Sequence, residues 1–87
     1  MNGRRLPDAH SVIGGFAHGD YQKVTHADGT EHWWACPPRG AVGVLDDHEV
    51  TEHDDGTITV SPSILMPSDS PDGSWHGYLE RGVWREV

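Results

Sequence analysis

The chain has 87 residues, with 14 Asp and Glu against 6 Lys and Arg and a formal net charge of −8, which reads as one small acidic domain. A direct nucleic-acid binder normally presents a basic patch, and here the cations Arg4, Arg5, Lys23, Arg39, Arg81 and Arg85 are scattered; DNA, RNA and anionic membranes are therefore not expected as direct partners. Eleven Gly, six Pro and only 34% hydrophobic residues favour short elements and many turns over a helical bundle.

Residues 1–9 read as a flexible arm ahead of a single β domain over 10–87. Arg4 and Arg5 are not followed by an apolar run, so this start does not resemble a secretory or twin-arginine signal. Residues 10–16 are β-branched and Gly-interrupted, which suggests an edge strand with a bulge at Gly14 and Gly15. Residues 21–25 and 31–36 flank Asp28-Gly29, a hairpin signal for a type I′ turn. Trp33 and Trp34 are adjacent, so in a strand they face opposite sides.

Cys36-Pro37-Pro38 ends that strand, because proline has no N–H to give a ladder. Residues 41–45 form a short apolar strand, and Asp46-Asp47 turn the chain. Residues 48–53 and 57–60 flank Asp54-Asp55-Gly56 as a second hairpin, with Ile58 and Val60 alternating against Thr57 and Thr59. Residues 61–63 bend this strand at Pro62. Residues 67–73 form a polar loop, the stretch expected to be most mobile. Residues 75–80 and 83–87 make a third hairpin about Arg81-Gly82. Trp75, Gly77 and Leu79 share one of its faces, and His76, Tyr78 and Glu80 the other. No helical stripe and no repeat is evident. The expected fold is mainly β: a small antiparallel sheet of six to seven short strands, curled into a sandwich or open barrel.

Cys36-Pro37, then residues 56–65, then residues 76–79 with Gly82-Val83-Trp84, form an ordered set of motifs over about residues 32–87. The set resembles a family of small uncharacterised bacterial and actinobacterial-phage proteins, a domain of unknown function. Its most specific piece is the run from Thr59 to Leu65. The resemblance implies a β-rich fold, a phage setting and a zinc-ribbon-like ligand pattern. This sequence departs from that pattern: Arg39 stands where a second Cys would fall, and Trp75 replaces a Cys beside His76.

Tetrahedral zinc needs four ligands. The candidates are Cys36 and His76, joined by His32 or His53; in a single strand such residues lie too far apart to share one ion. A decayed site is expected instead, with Trp75 filling the space and Arg39 pairing with an acid, and hence no cofactor. No nucleophile elbow, phosphate loop or metalloprotease helix is present, so no enzyme is expected. Cys36 is the only cysteine, which excludes an intrachain disulfide and fits a reducing compartment. The seven His are expected to be ordinary surface residues. A non-enzymatic phage accessory protein is therefore expected, located in the cytoplasm of an infected bacterial host or in the virion. It would bind a protein partner of basic character, or associate with itself. The expected contact residues are Trp34, Tyr78 and Trp84 with the acids Asp46, Asp47, Glu49, Glu52, Asp54 and Asp55. The alternative is a zinc-supported module using Cys36 and His76; a Cys36-dependent enzyme ranks third.

Overall fold

In the computed structural model, which describes residues 1–11, 14–66 and 74–87, three hairpins carry most of the chain, and two of them use the same turn. His26-Ala27-Asp28-Gly29-Thr30 joins β2 (Asp20–Thr25) to β3 (Glu31–Ala35). His53-Asp54-Asp55-Gly56-Thr57 joins β5 (Glu49–Glu52) to β6 (Ile58–Met66). In each, the glycine amide donates to the histidine carbonyl at 2.9 Å and the histidine amide donates to the threonine carbonyl at 2.8 Å. Only the glycine has positive φ, 90° at Gly29 and 87° at Gly56. These are three-residue loops, a type I turn closed by a left-handed glycine, and not the expected type I′ turn. The aspartate decides between the two. Asp28 Oδ1 accepts from the Thr30 amide and hydroxyl at 3.0 and 2.7 Å, and Asp55 Oδ1 does the same with Thr57 at 3.0 and 2.6 Å.

The third hairpin, β7 (Trp75–Glu80) with β8 (Val83–Glu86), has a true two-residue turn, with Arg81 at φ 46° and Gly82 at φ 77° between the paired Glu80 and Val83. Arginine is a poor residue for the left-handed region, whereas asparagine tolerates it. Arg81→Asn is expected to stabilise the protein by about 0.5–1 kcal/mol, read as a higher urea midpoint at unchanged m-value.

The strands form two four-stranded sheets, ordered β1-β2-β3-β4 and β5-β6-β7-β8, with β1 at Arg4–Arg5 and β4 at Gly43–Val44. The described residues contain no helix, and the sheets do not close into a barrel. The fold is thus mainly β, as expected, with eight strands instead of six or seven. Burial in β7 alternates: Trp75, Gly77 and Leu79 are buried while His76 and Glu80 are exposed. Ile58, Val60, Ile64 and Trp84 from the same sheet join Tyr21, Ala35 and Leu45 from the other half in one core. Trp75 and Trp84 meet edge to face, with ring centroids 5.3 Å apart. Val60 pairs with Leu79 and Ile64 with Gly77, so residues 61–63 stand opposite Tyr78 alone. This bulge is the bend expected at Pro62, and it returns Ile64 to the core face.

The N-terminal residues are a strap, not the expected loose arm. Asn2 bridges Val83, Gly3 donates to Gly82 O at 2.6 Å, and the Trp84 amide donates to Met1 O at 2.8 Å. Arg4 and Arg5 then pair in parallel with Asp20 and Tyr21. Ala9 continues beside Val24, receiving a bond from the Thr25 amide at 2.9 Å. Residues 1–3 therefore extend one sheet and residues 4–9 the other, and the second sheet is mixed, not purely antiparallel. The cause is electrostatic as well as steric. Arg4 forks onto Asp20 at 3.1 and 2.9 Å, and Arg5 donates to Glu52, Asp8 and Gly56 O within 3.0 Å. Of the expected edge strand over 10–16, residues 12–13 lie outside the described residues, and Gly14 and Gly15, both at φ 76°, belong to no strand. The polar loop over 67–73 also lies outside the described residues.

Candidate functional site

The acidic hairpin does not act as one block. Glu52 sits on β5 facing the other sheet, where its carboxylate accepts from Arg5 Nη1 at 2.8 Å and Lys23 Nζ at 3.2 Å. Both cations also lie over the Trp33 ring, 4.9 and 5.9 Å from its centroid, and Lys23 pairs with Glu31 at 2.7 Å. Glu52 is thus a tie between sheets. Asp55 closes its own turn, and Asp46 accepts from His32 Nδ1 at 2.7 Å. Asp47, Glu49 and Asp54 remain exposed, with no ion pair among the described residues.

The aromatic candidates separate in the same way. Trp84 is buried at 3% exposure, and its Nε1 donates to Gly19 O at 2.9 Å, so it is a core residue and not a contact surface. Trp34 is half-buried on the outer side of its sheet, paired with Gln22 and Val44. Tyr78 is half-buried on the outer face of the other sheet, with the Arg85 guanidinium 4.8 Å over its ring.

The expected zinc ligands are dispersed. Cys36 is buried, with Sγ 3.6 Å from His18 Nδ1, a neighbour not expected from the sequence. His76 lies 2.9 Å from Ser63 Oγ, and His53 lies 2.7 Å from Thr59 Oγ1. Among the described residues no three His, Cys, Asp or Glu side chains are grouped to hold an ion. Arg39 pairs with Glu86 and also donates to Ser74 O. Burial pushes the Cys36 thiol up, and the charge of Asp20 adds to this, which opposes a nucleophilic thiolate.

Two concavities lie among the described residues near these side chains. The larger, about 390 Å³, is an open groove lined by Glu52, His53, Asp54, Asp55 and Arg81. The smaller, about 210 Å³, opens where β3 and the 45–48 turn face β5. Trp33, Leu45 and Val50 give it an apolar lining; Glu31, His32, Asp46 and His48 give it a polar one. His48 is the unusual member. Its Nε2 lies 3.1 Å from Ser63 O, and since a carbonyl only accepts, Nε2 carries the proton. Its Nδ1 is buried without a partner among the described residues. Sequence patterns did not reveal this groove, because two hairpins on different sheets assemble it.

Charge also sets the response to acid. Burial alone would raise the Asp20 carboxyl, but the Arg4 guanidinium and the Ala17 amide outweigh it and hold it below the usual range. Bonds from Arg5 and Lys23 lower Glu52, and the threonine hydroxyls and amides of their turns lower Asp28 and Asp55. Folded pKa values below the unfolded ones mean that the unfolded chain binds protons first as pH falls. Stability is then fully present above about pH 4, the unfolded carboxyl range, and is lost as pH falls through the folded values. The thermal midpoint should be flat from about pH 7 to 5 and fall below about 4. Asp20→Asn should be less stable at neutral pH and show a shallower fall; an equally steep fall would remove Asp20 from this account.

No family model, curated protein or solved structure compared with the chain matches it. No helix among the described residues is long and apolar enough to cross a membrane.

Proposed function

We propose that this chain is a non-catalytic protein-binding module, a phage accessory protein that engages a host factor or assembles with neighbours in an oligomer or virion. The observation that carries this is β5. It pairs with β6 on one side only, and the exposed Glu49, with Asp47 and Asp54 at either end, adds carboxylates along that open edge. An open edge can be extended by a strand, and the charges select against acidic surfaces and favour a basic partner. The phage setting, in the infected host cytoplasm or the virion, rests on the motif order from Cys36 to Trp84 alone.

Native mass spectrometry of the untagged protein, with and without a chelator, tests this. The expected spectrum is metal-free, with folded charge states that the chelator leaves unchanged. A mass one zinc heavier, lost together with folding, would overturn the proposal in favour of a zinc-supported module on Cys36 and His76. Cys36→Ser is expected to leave the fold and any partner binding intact.

A further inference from the structure

We infer that the open edge of β4 pairs with the same edge of a second copy of this chain, antiparallel about a two-fold axis at Gly43, an inference that rests on the assembly role proposed above and names the neighbour. β4 lies at the end of its sheet and pairs with β3 alone. The Leu45 amide donates to Trp33 O at 2.8 Å. Antiparallel bonding alternates along a strand, so Gly43 and Leu45 turn their N–H and C=O groups toward β3. Val42 and Val44 therefore turn theirs outward, along the open edge. Their side chains are 43% and 38% exposed, and Val44 pairs with the half-buried Trp34. No charged residue stands between Arg39 and Asp46. An edge with exposed apolar side chains and no charge to block it is a template for another strand.

The stretch from Arg39 to Asp47 is complementary to itself. Antiparallel pairing sets Gly43 against Gly43 of the second copy, and each Val42 against Val44 of the second copy. These are the residues whose outward N–H and C=O groups then exchange bonds. The valines of both copies share one face with both Trp34 side chains, so the apolar surface runs on across the axis. The same register carries Arg39 of each copy toward Asp47 of the second copy. Asp47 is exposed, with no ion pair among the described residues. The other edges suit a copy less well. On β5, the exposed Glu49 and Asp54 would bring two acidic edges together. On β8, residues 1–3 already line the edge. β4 has only two residues, so the contact belongs to the small, weak class of interfaces, below about 1,200 Å² in total, and forms at high protein concentration.

Sedimentation velocity of the full chain tests this, with a monomer expected at about 10 μM and a dimer growing in toward about 1 mM. Val42→Lys places a charge on the edge and is expected to raise the dimer dissociation constant about tenfold or more. Glu49→Gln, on the β5 edge, is expected to leave it within about twofold. A mixed sample of ¹³C-labelled and unlabelled wild-type chains reads the register directly. Isotope-filtered NOEs are expected between the Val42 methyls of one copy and the Val44 methyls of the second copy, and this readout stands even where Val42→Lys disturbs the fold. A monomer at every concentration, a dimer that Val42→Lys leaves unchanged, or intermolecular NOEs confined to β5 or β8 would each overturn the inference and leave binding of a foreign partner standing. The broader role fails separately, through a zinc-loaded native mass spectrum.

Discussion

Gly77→Ala is expected to cost about 3–5 kcal/mol, a large part of the stability of a domain this size. The added Cβ would stand 2.3 Å from Arg85 O and 2.6 and 2.7 Å from two ring carbons of Trp75. The Trp75 indole lies back across Gly77, where any side chain would occupy its place, and it is also pinned edge-on against Trp84. The ring cannot simply move, because it is 1% exposed and packed on all sides. Shrinking the ring would not rescue the variant either, since Arg85 O belongs to the strand paired with β7. Gly29→Ala is the control. Gly29 has φ 90° with no atom near the site of a Cβ, so alanine there carries only backbone strain, about 1 kcal/mol. Urea unfolding of the two variants separates the effects. A Gly77→Ala midpoint equal to that of Gly29→Ala would mean that the indole does not lie over the glycine.

The hairpins were legible because their signals are local. Asp-Gly between β-prone runs marks a reversal, and period-two alternation separated the two faces of β7 correctly. Turn type was not legible from Asp-Gly alone, since that pair suits both the two-residue and the three-residue loop. The deciding feature was the aspartate together with the threonine after the glycine, whose amide and hydroxyl both reach its carboxylate. The same five-residue pattern around Asp28 and Asp55 was a repeat too short to register as one. The strap was illegible for a different reason. Met1 to Arg5 is polar and turn-like, and its partners, Asp20, Glu52 and Val83, are distant in sequence. Parallel pairing leaves no turn signature.

The acidic surface was read as a charge run when part of it is architecture. Glu52 lies 47 residues from Arg5 and 29 from Lys23, so its role as a tie between sheets cannot be seen along the chain. The groove near His48 is hidden for the same reason, as β3 and β5 meet there only after the sheets stack. Trp84 differs, because its burial was implicit in the hairpin. A two-residue turn at Arg81-Gly82 sets Leu79 opposite Trp84, and paired residues share a face. Leu79 is buried on the face it shares with Trp75, so the indole of Trp84 follows it into the core.

Trp84→Ala is accordingly expected to destabilise by about 3–5 kcal/mol, comparable to Gly77→Ala, and Trp84→Phe by about 1–2 kcal/mol. Phenylalanine keeps a ring against Trp75 but loses the Nε1 donor, leaving the buried Gly19 carbonyl with one bond fewer. Alanine removes both and opens a cavity where the sheets and the strap converge. That junction is tight: a Cβ on Gly3 would lie 2.9 Å from both Gly82 O and Trp84 Nε1, and 3.0 Å from Gly19 O. The strap threads between two carbonyls and an indole, so losing the indole should loosen it before the rest of the fold. Hydrogen exchange is the test. In Trp84→Phe the amides of Gly3 and Arg4, bonded to Gly82 O and Gly19 O, should lose protection while that of Leu45, bonded to Trp33 O, keeps it. Uniform loss would mean that the strap and the sheets unfold as one unit. Two near-neutral variants would return Trp84 to the surface and to the partner.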